Sequence, residues 1–231
     1  MSETVKLTAQ DGHQLGAYVA RPQGTPKAGL VIVQEIFGVN RHIRSVADGY
    51  AKDGFLVIAP ALFDRIEPGI ELEYGGENGK RAYELMGKLN PATALLDVAA
   101  ALAWVRQESG HSKAGVVGFC YGGFLSWLSA TRLDPQVAVG YYPGGIDKVA
   151  DETPKVPVML HFGEQDTHIP VTVAEKVHAA HPKVQIYLYE GAGHAFNRDV
   201  WPESYDAESA MLARERSLAF LKEHLFANLP S

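Results

Sequence analysis

Eight short apolar segments punctuate this chain, and most read as strands rather than as amphipathic helices. Residues 5–8 and 15–19 flank an Asp11-Gly12 turn and predict an antiparallel N-terminal hairpin. Gly29-Leu30-Val31-Ile32-Val33, Phe55-Leu56-Val57-Ile58-Ala59, Ala114-Gly115-Val116-Val117-Gly118 and Val156-Pro157-Val158-Met159-Leu160 are continuous apolar runs. Such runs suit strands buried on both faces of a parallel sheet. Residues 137–141 and 184–189 complete the set. Between them, helical patterns cover 41–52, 92–106 (after Pro91, a good helix start), 122–132, 172–180 and 207–225. Strands alternating with helices predict an α/β fold, a mostly parallel central sheet with helices on both faces and the hairpin at its start. There is no repeat, low-complexity tract or long linker, so a single domain over residues 1–231 is expected.

Composition narrows the function classes. Apolar residues make up 46% and charged residues 21%, a globular balance. The formal charge is −6, with 21 Lys and Arg against 27 Asp and Glu, which disfavours nucleic acid or an anionic membrane as partner. No apolar run reaches the 18 residues of a membrane span, and the N-terminus lacks the apolar core of a signal peptide. One cysteine cannot form an internal disulfide, which fits a reducing compartment. The expectation is a cytoplasmic monomer acting on a small molecule, with no cofactor and no metal. His178 and His181 sit three apart on a helical pattern, but no third ligand accompanies them.

That single cysteine occupies Val117-Gly118-Phe119-Cys120-Tyr121-Gly122-Gly123, between an apolar strand and a helical segment. A lone cysteine is most often a small buried hydrophobe. Here Gly-x-Cys-x-Gly at a strand–turn–helix junction matches the elbow that presents a nucleophile in α/β-hydrolases, with cysteine replacing serine. Glycines two residues to either side relieve clashes across so sharp a turn, and the following helix N-terminus favours a thiolate. The partners of such a nucleophile follow in the order acid, then histidine. Asp166 in Gly163-Glu164-Gln165-Asp166 and His194 in Gly191-Ala192-Gly193-His194 each follow a strand in that order. Cys120, Asp166 and His194 are therefore the expected triad. The loop Gln34-Glu35-Ile36-Phe37-Gly38 leaves the strand preceding the first helix, which predicts an oxyanion hole from the amides of Tyr121 and Ile36. Glu35, a carboxylate at the end of so apolar a strand, is expected either to be paired or to hold a proton, with desolvation favouring the neutral form.

QEIFGV, GFCYGG, GEQD and GAGHAF resemble the dienelactone hydrolase (carboxymethylenebutenolidase) family of α/β-hydrolases, and the resemblance runs over nearly the whole chain. It implies an α/β-hydrolase fold and hydrolysis of dienelactone, an enol-lactone acid of aromatic degradation, to maleylacetate without metal or cofactor. It also implies that Glu35 takes the proton of Cys120, and that arginines hold the substrate carboxylate. Arg198 fills one arginine position and would pair with Glu35 while the site is empty. Arg81 fills the other after a small shift, with Tyr83 beside it, while Met86 stands where the family has an aromatic residue. Two alternatives remain open: a cysteine carboxylesterase or thioesterase for another small ester, and a non-catalytic α/β binding module.

Overall fold

The computed structural model describes residues 2–226. One eight-stranded sheet forms its centre, in the order β1-β2-β4-β3-β5-β6-β7-β8. The hairpin of β1 (Ser2–Thr8) and β2 (Gln14–Ala20) is antiparallel and joins the sheet by pairing β2 antiparallel with β4 (Phe55–Pro60). The rest is parallel: β3 (Ala28–Val33), β4, β5 (Ala114–Phe119), β6 (Val137–Tyr141), β7 (Val158–Gly163) and β8 (Gln185–Tyr189). Every residue of β3 to β7 is buried, the signature of strands covered on both faces. Strand β7 begins two residues later than the sequence pattern indicates. Pro157 has no N–H for a ladder, and its carbonyl instead accepts from Ala138 N at 3.1 Å at the strand's entry.

Among the described residues there are six α-helices. Helix α1 (Arg41–Lys52) is capped by Asn40, whose Oδ1 accepts from Ile43 N at 3.3 Å. Helix α2 (Gly76–Lys88) is absent from the helices that the sequence pattern predicts: Ala82, Leu85 and Met86 share one face, but they are confined to its second half and three glycines, Gly76, Gly79 and Gly87, interrupt the segment. Helix α3 (Pro91–Ser109) starts at Pro91 behind its Asn90 cap and stops at Gly110, held at φ 72°. Helices α4 (Tyr121–Arg132), α5 (Val171–Ala180) and α6 (Ala207–Leu225) complete the set. Helices α3 and α6 lie on opposite faces: a Cβ at Gly29 would meet Val105 of α3, whereas one at Gly115, the register partner of Leu30, would meet Leu225 of α6 at 3.0 Å. Among the described residues, no helix is long and apolar enough to cross a membrane.

The closest approach of elements is where β5 turns into α4. A Cβ at Gly118 would overlap the Gly122 carbonyl, and one at Gly122 would overlap the carbonyls of Val33 and Gln34. All of these obstacles are backbone atoms, which cannot rotate aside. Gly122→Ala should cost about 1–3 kcal/mol, the usual penalty for overpacking, and lower the melting temperature by several degrees. A thermal melt superimposable on that of the wild type would contradict this packing.

Candidate active site

Cys120 stands between β5 and α4 with φ 56° and ψ −116°, a conformation that non-glycine residues rarely adopt. Its N–H donates to Tyr141 O of β6 at 3.0 Å, and its carbonyl accepts from Phe124 N of α4 at 3.1 Å, so the neighbouring strand and the following helix hold the strained residue. The glycine contacts bring the α4 N-terminus against the carbonyl end of β3. There the chain leaves the sheet as Gln34-Glu35-Ile36. The Tyr121 amide opens α4 and, like first-turn amides generally, has no carbonyl partner within the helix. The Gln34 side chain accepts from Leu62 N at 3.0 Å and donates to Glu35 O at 3.1 Å. Because the two polar groups of a trans peptide point opposite ways, this bond also fixes the direction of the Ile36 N–H.

The three residues expected to act together are hydrogen-bonded in series. Cys120 Sγ lies 3.2 Å from His194 Nε2, and His194 Nδ1 lies 2.7 Å from Asp166 Oδ2. The other Asp166 oxygen accepts from the amides of His168 at 2.8 Å and Ile169 at 3.0 Å, so the loop that Asp166 shapes also orients it. Asp166 follows β7 and His194 follows β8; their loops are stitched together by Gln165 N donating to Ala192 O at 2.8 Å. Burial alone would raise the Asp166 pKa, but the hydrogen bond and charge of His194 and the two amides carry it below the ordinary value. For His194, burial works against the charged ring. Its interactions with Cys120 and the Asp166 hydrogen bond outweigh that and raise its pKa to about 10.

Glu35 is buried at 1% exposure and forms a forked ion pair with Arg198, whose Nη2 reaches Oε2 at 2.8 Å and whose Nε reaches Oε1 at 3.2 Å. Tyr74 donates to the same Oε1 at 3.2 Å. Of the two possibilities open for Glu35, pairing is the one realised, and the expectation of a neutral acid needs correcting. Burial does push its pKa up, but the charges of Arg198 and then His42, with the Arg198 hydrogen bonds, bring it below the ordinary value. Arg198 stacks over the rings of Tyr74 at 4.1 Å and Phe37 at 5.1 Å. Asn40 donates to the Tyr74 hydroxyl at 3.0 Å, so the residue that caps α1 also fixes this pocket. Neither Tyr74 nor Asn40 is marked as a site residue by the sequence. Their one advance signal is the implausibility of an unpaired Glu35.

Arg81, on α2, pairs with Glu67 and Glu84, and Tyr83 is 54% exposed; among the described residues no hydrogen bond or ion pair joins either to Cys120, His194, Glu35 or Arg198. Of the helical pair His178 and His181, the latter's Nε2 bonds the Ala150 carbonyl at 2.7 Å.

Comparison with known proteins decides the family. The model of the dienelactone hydrolase family matches residues 15–225. Carboxymethylenebutenolidases of Pseudomonas putida and of Pseudomonas knackmussii are each 35% identical over 228 residues, covering 96% of this chain and 96% of theirs. The chain belongs to the dienelactone hydrolase family. It is a carboxylic ester hydrolase with the α/β-hydrolase fold. Among solved structures, a Klebsiella pneumoniae protein provisionally named a dienelactone hydrolase shares 30% identity at a TM-score of 0.82, covering 96% of this chain and 99% of its own. An esterase from Pyrococcus furiosus shares the fold at 17% identity, with a TM-score of 0.72 over 97% of this chain and 93% of its own.

The raised His194 pKa has a direct consequence. Below about pH 6.5 the ring's charge contributes fully to stability, and that contribution is lost as pH rises through about 10. In Cys120→Ala the largest favourable influence on the charged ring is gone, so its titration midpoint should fall toward the ordinary imidazole range. NMR titration of the His194 ring measures both midpoints, and equal values would show that Cys120 does not bear on the ring.

Proposed function

We propose that this enzyme opens a carboxylate-bearing enol-lactone, dienelactone, to maleylacetate through a thioester on Cys120. The observation that carries the reading is a hydrogen-bonded series Cys120–His194–Asp166 beside a buried ion pair Glu35–Arg198. A substrate carboxylate competes for Arg198, whose planar fork suits carboxylates. Freed from its cation, Glu35 becomes basic enough to take the Cys120 proton, and the resulting thiolate pairs with the His194 imidazolium. The thiolate attacks the lactone carbonyl, and the amides of Tyr121 and Ile36 receive the oxyanion. Collapse breaks the ring C–O bond and expels an enolate, which takes the proton of the His194 imidazolium to give the keto acid. The neutral His194 then takes a proton from water as it attacks the thioester, and the C–S bond breaks to release Cys120 as a thiolate, which recovers its proton from Glu35.

A thiol suits this substrate. Thiolates leave as readily as they attack, so a poor leaving group such as an amine would be outcompeted and the intermediate would revert. An enolate departs without strong acid assistance. One observation favours a second reading, a carboxylesterase for other small esters: Arg81 is engaged by Glu67 and Glu84, which leaves Arg198 as the cation at the cluster.

Cys120→Ala should abolish hydrolysis of dienelactone by at least about 10³-fold while the fold, followed by circular dichroism, stays intact. Retained activity in that variant would end the reading. Arg198→Ala should raise KM for dienelactone by about 10- to 100-fold, as expected for a hydrogen bond between charged groups, and should affect a neutral aryl ester much less. Equal effects on the two substrates would favour the carboxylesterase.

A further inference from the structure

The two oxygens of Glu35 are not held alike. Among the described residues, Oε2 accepts from Arg198 alone, through Nη2 at 2.8 Å and Nε at 3.3 Å. Oε1 accepts from Arg198 Nε at 3.2 Å and also from the Tyr74 hydroxyl at 3.2 Å. Withdrawal of the arginine therefore strips Oε2 and leaves Oε1 with a donor.

Asn40 settles the direction of that donor. Its Oδ1 accepts from Ile43 N at 3.3 Å and its Nδ2 donates to Leu72 O at 3.0 Å, so two backbone groups fix which end of the amide is which. Nδ2 also donates to the Tyr74 oxygen at 3.0 Å. The phenol thus receives from Asn40 and has its one proton left for Glu35. Burial, and then the charge of Glu35, raise the Tyr74 pKa, so that proton stays on the phenol. The ring packs edge-on against Phe37 at 4.6 Å and beside Trp201 at 5.9 Å. None of these supports passes through Arg198, although its guanidinium rests on the same ring at 4.1 Å.

The proposed reaction sets a narrow requirement for Glu35. A carboxylate this buried favours its neutral form once it is unpaired. Stripped of every partner, it would take a proton from water and have no room for that of the thiol. Fully paired with its cation, it is too weak a base to take either.

We infer that Tyr74 is the positioning residue of the base: its hydroxyl keeps Glu35 ionised and aimed while Arg198 is engaged by substrate. The inference rests on the reading in which Glu35 deprotonates Cys120. Oε1 stays bound to the phenol, and Oε2, bared by the departing arginine, takes the proton. The S–H bond of Cys120 breaks, an O–H bond forms on Oε2, and Tyr74 keeps its own proton throughout. The other titratable groups around Glu35 are His42 of α1 and His194, whose charges act on it, with Tyr142 and Cys120 beyond. Among the described residues, none of those four is hydrogen-bonded to its carboxylate.

Tyr74→Phe keeps the ring beneath Arg198 and removes only the donor. The measurement is the rate of ring opening in a single turnover at saturating dienelactone, followed against pH, which reports groups in the substrate complex. Losing a hydrogen bond to a carboxylate raises its pKa, so the acid limb of the profile should move up by about one to two pH units. Above that limb the rate should regain the wild-type plateau. An unshifted limb in Tyr74→Phe, beside a slow Glu35→Gln, overturns the inference and leaves Glu35 as the base. A rate lowered by one factor at every pH assigns Tyr74 to packing and overturns it as well. If Glu35→Gln opens the lactone like wild type, the reading of Glu35 falls and this inference falls with it.

Discussion

The contact on which the site depends is one between backbones: helix α4 begins where Gly122 touches the carbonyls at the end of β3. No side chain could be interposed there. The consequence is that two separate stretches of chain, the turn at Cys120 and the loop at Glu35, are brought together by steric necessity rather than by attraction. The first-turn amides of α4 and the Ile36 amide are held in place by the same approach, assisted by the Gln34 side chain. Binding energy need not be spent to assemble these donors, since the fold already holds them.

Onto that frame the structure adds a costly element. Burying a carboxylate and a guanidinium together costs several kcal/mol per ion before their attraction is counted, and hydrophobic residues would often be at least as stable. The Glu35–Arg198 pair is thus poorly explained as a stabilising device. In the proposed reaction it acts as a switch: a forked, aromatic-lined clamp whose cation a substrate carboxylate draws away. The negative charge on Glu35 is imposed by Arg198 against the pull of burial, so moving the arginine is sufficient to change what the carboxylate does.

The sheet was legible in the chain because its strands are buried on both faces, and runs such as Leu30 to Val33 can be little else. The order of Cys120, Asp166 and His194 was legible for a related reason: each follows a strand, and strand ends are where such a sheet gathers its loops. Residues 61–88 were passed over, because the apolar face of α2 is short and lies among glycines at 76, 79 and 87 that read as loop. The protonation of Glu35 was misread from position alone, since its partner lies 163 residues away and the phenol that steadies it lies 39 away. Spacing reports local geometry, whereas charge states are settled by neighbours that only the tertiary fold supplies. Arg81 illustrates the limit from the other side: alignment of a short motif could nominate it, but not foresee that Glu67 and Glu84 would engage it.

Strand β8 closes the sheet at one edge, and of its five residues only Tyr189 is buried. His194 hangs from that strand, whereas Cys120 hangs from β5 in the middle of the sheet. The two ends of the Cys120–His194 hydrogen bond on which the proposed reaction depends therefore belong to regions of unequal local stability. Edge strands open by fluctuations far smaller than global unfolding, and each such opening separates the imidazole from a thiol that stays in place. The working lifetime of the site on heating is thus governed by the fraying of its margin, well before the core gives way.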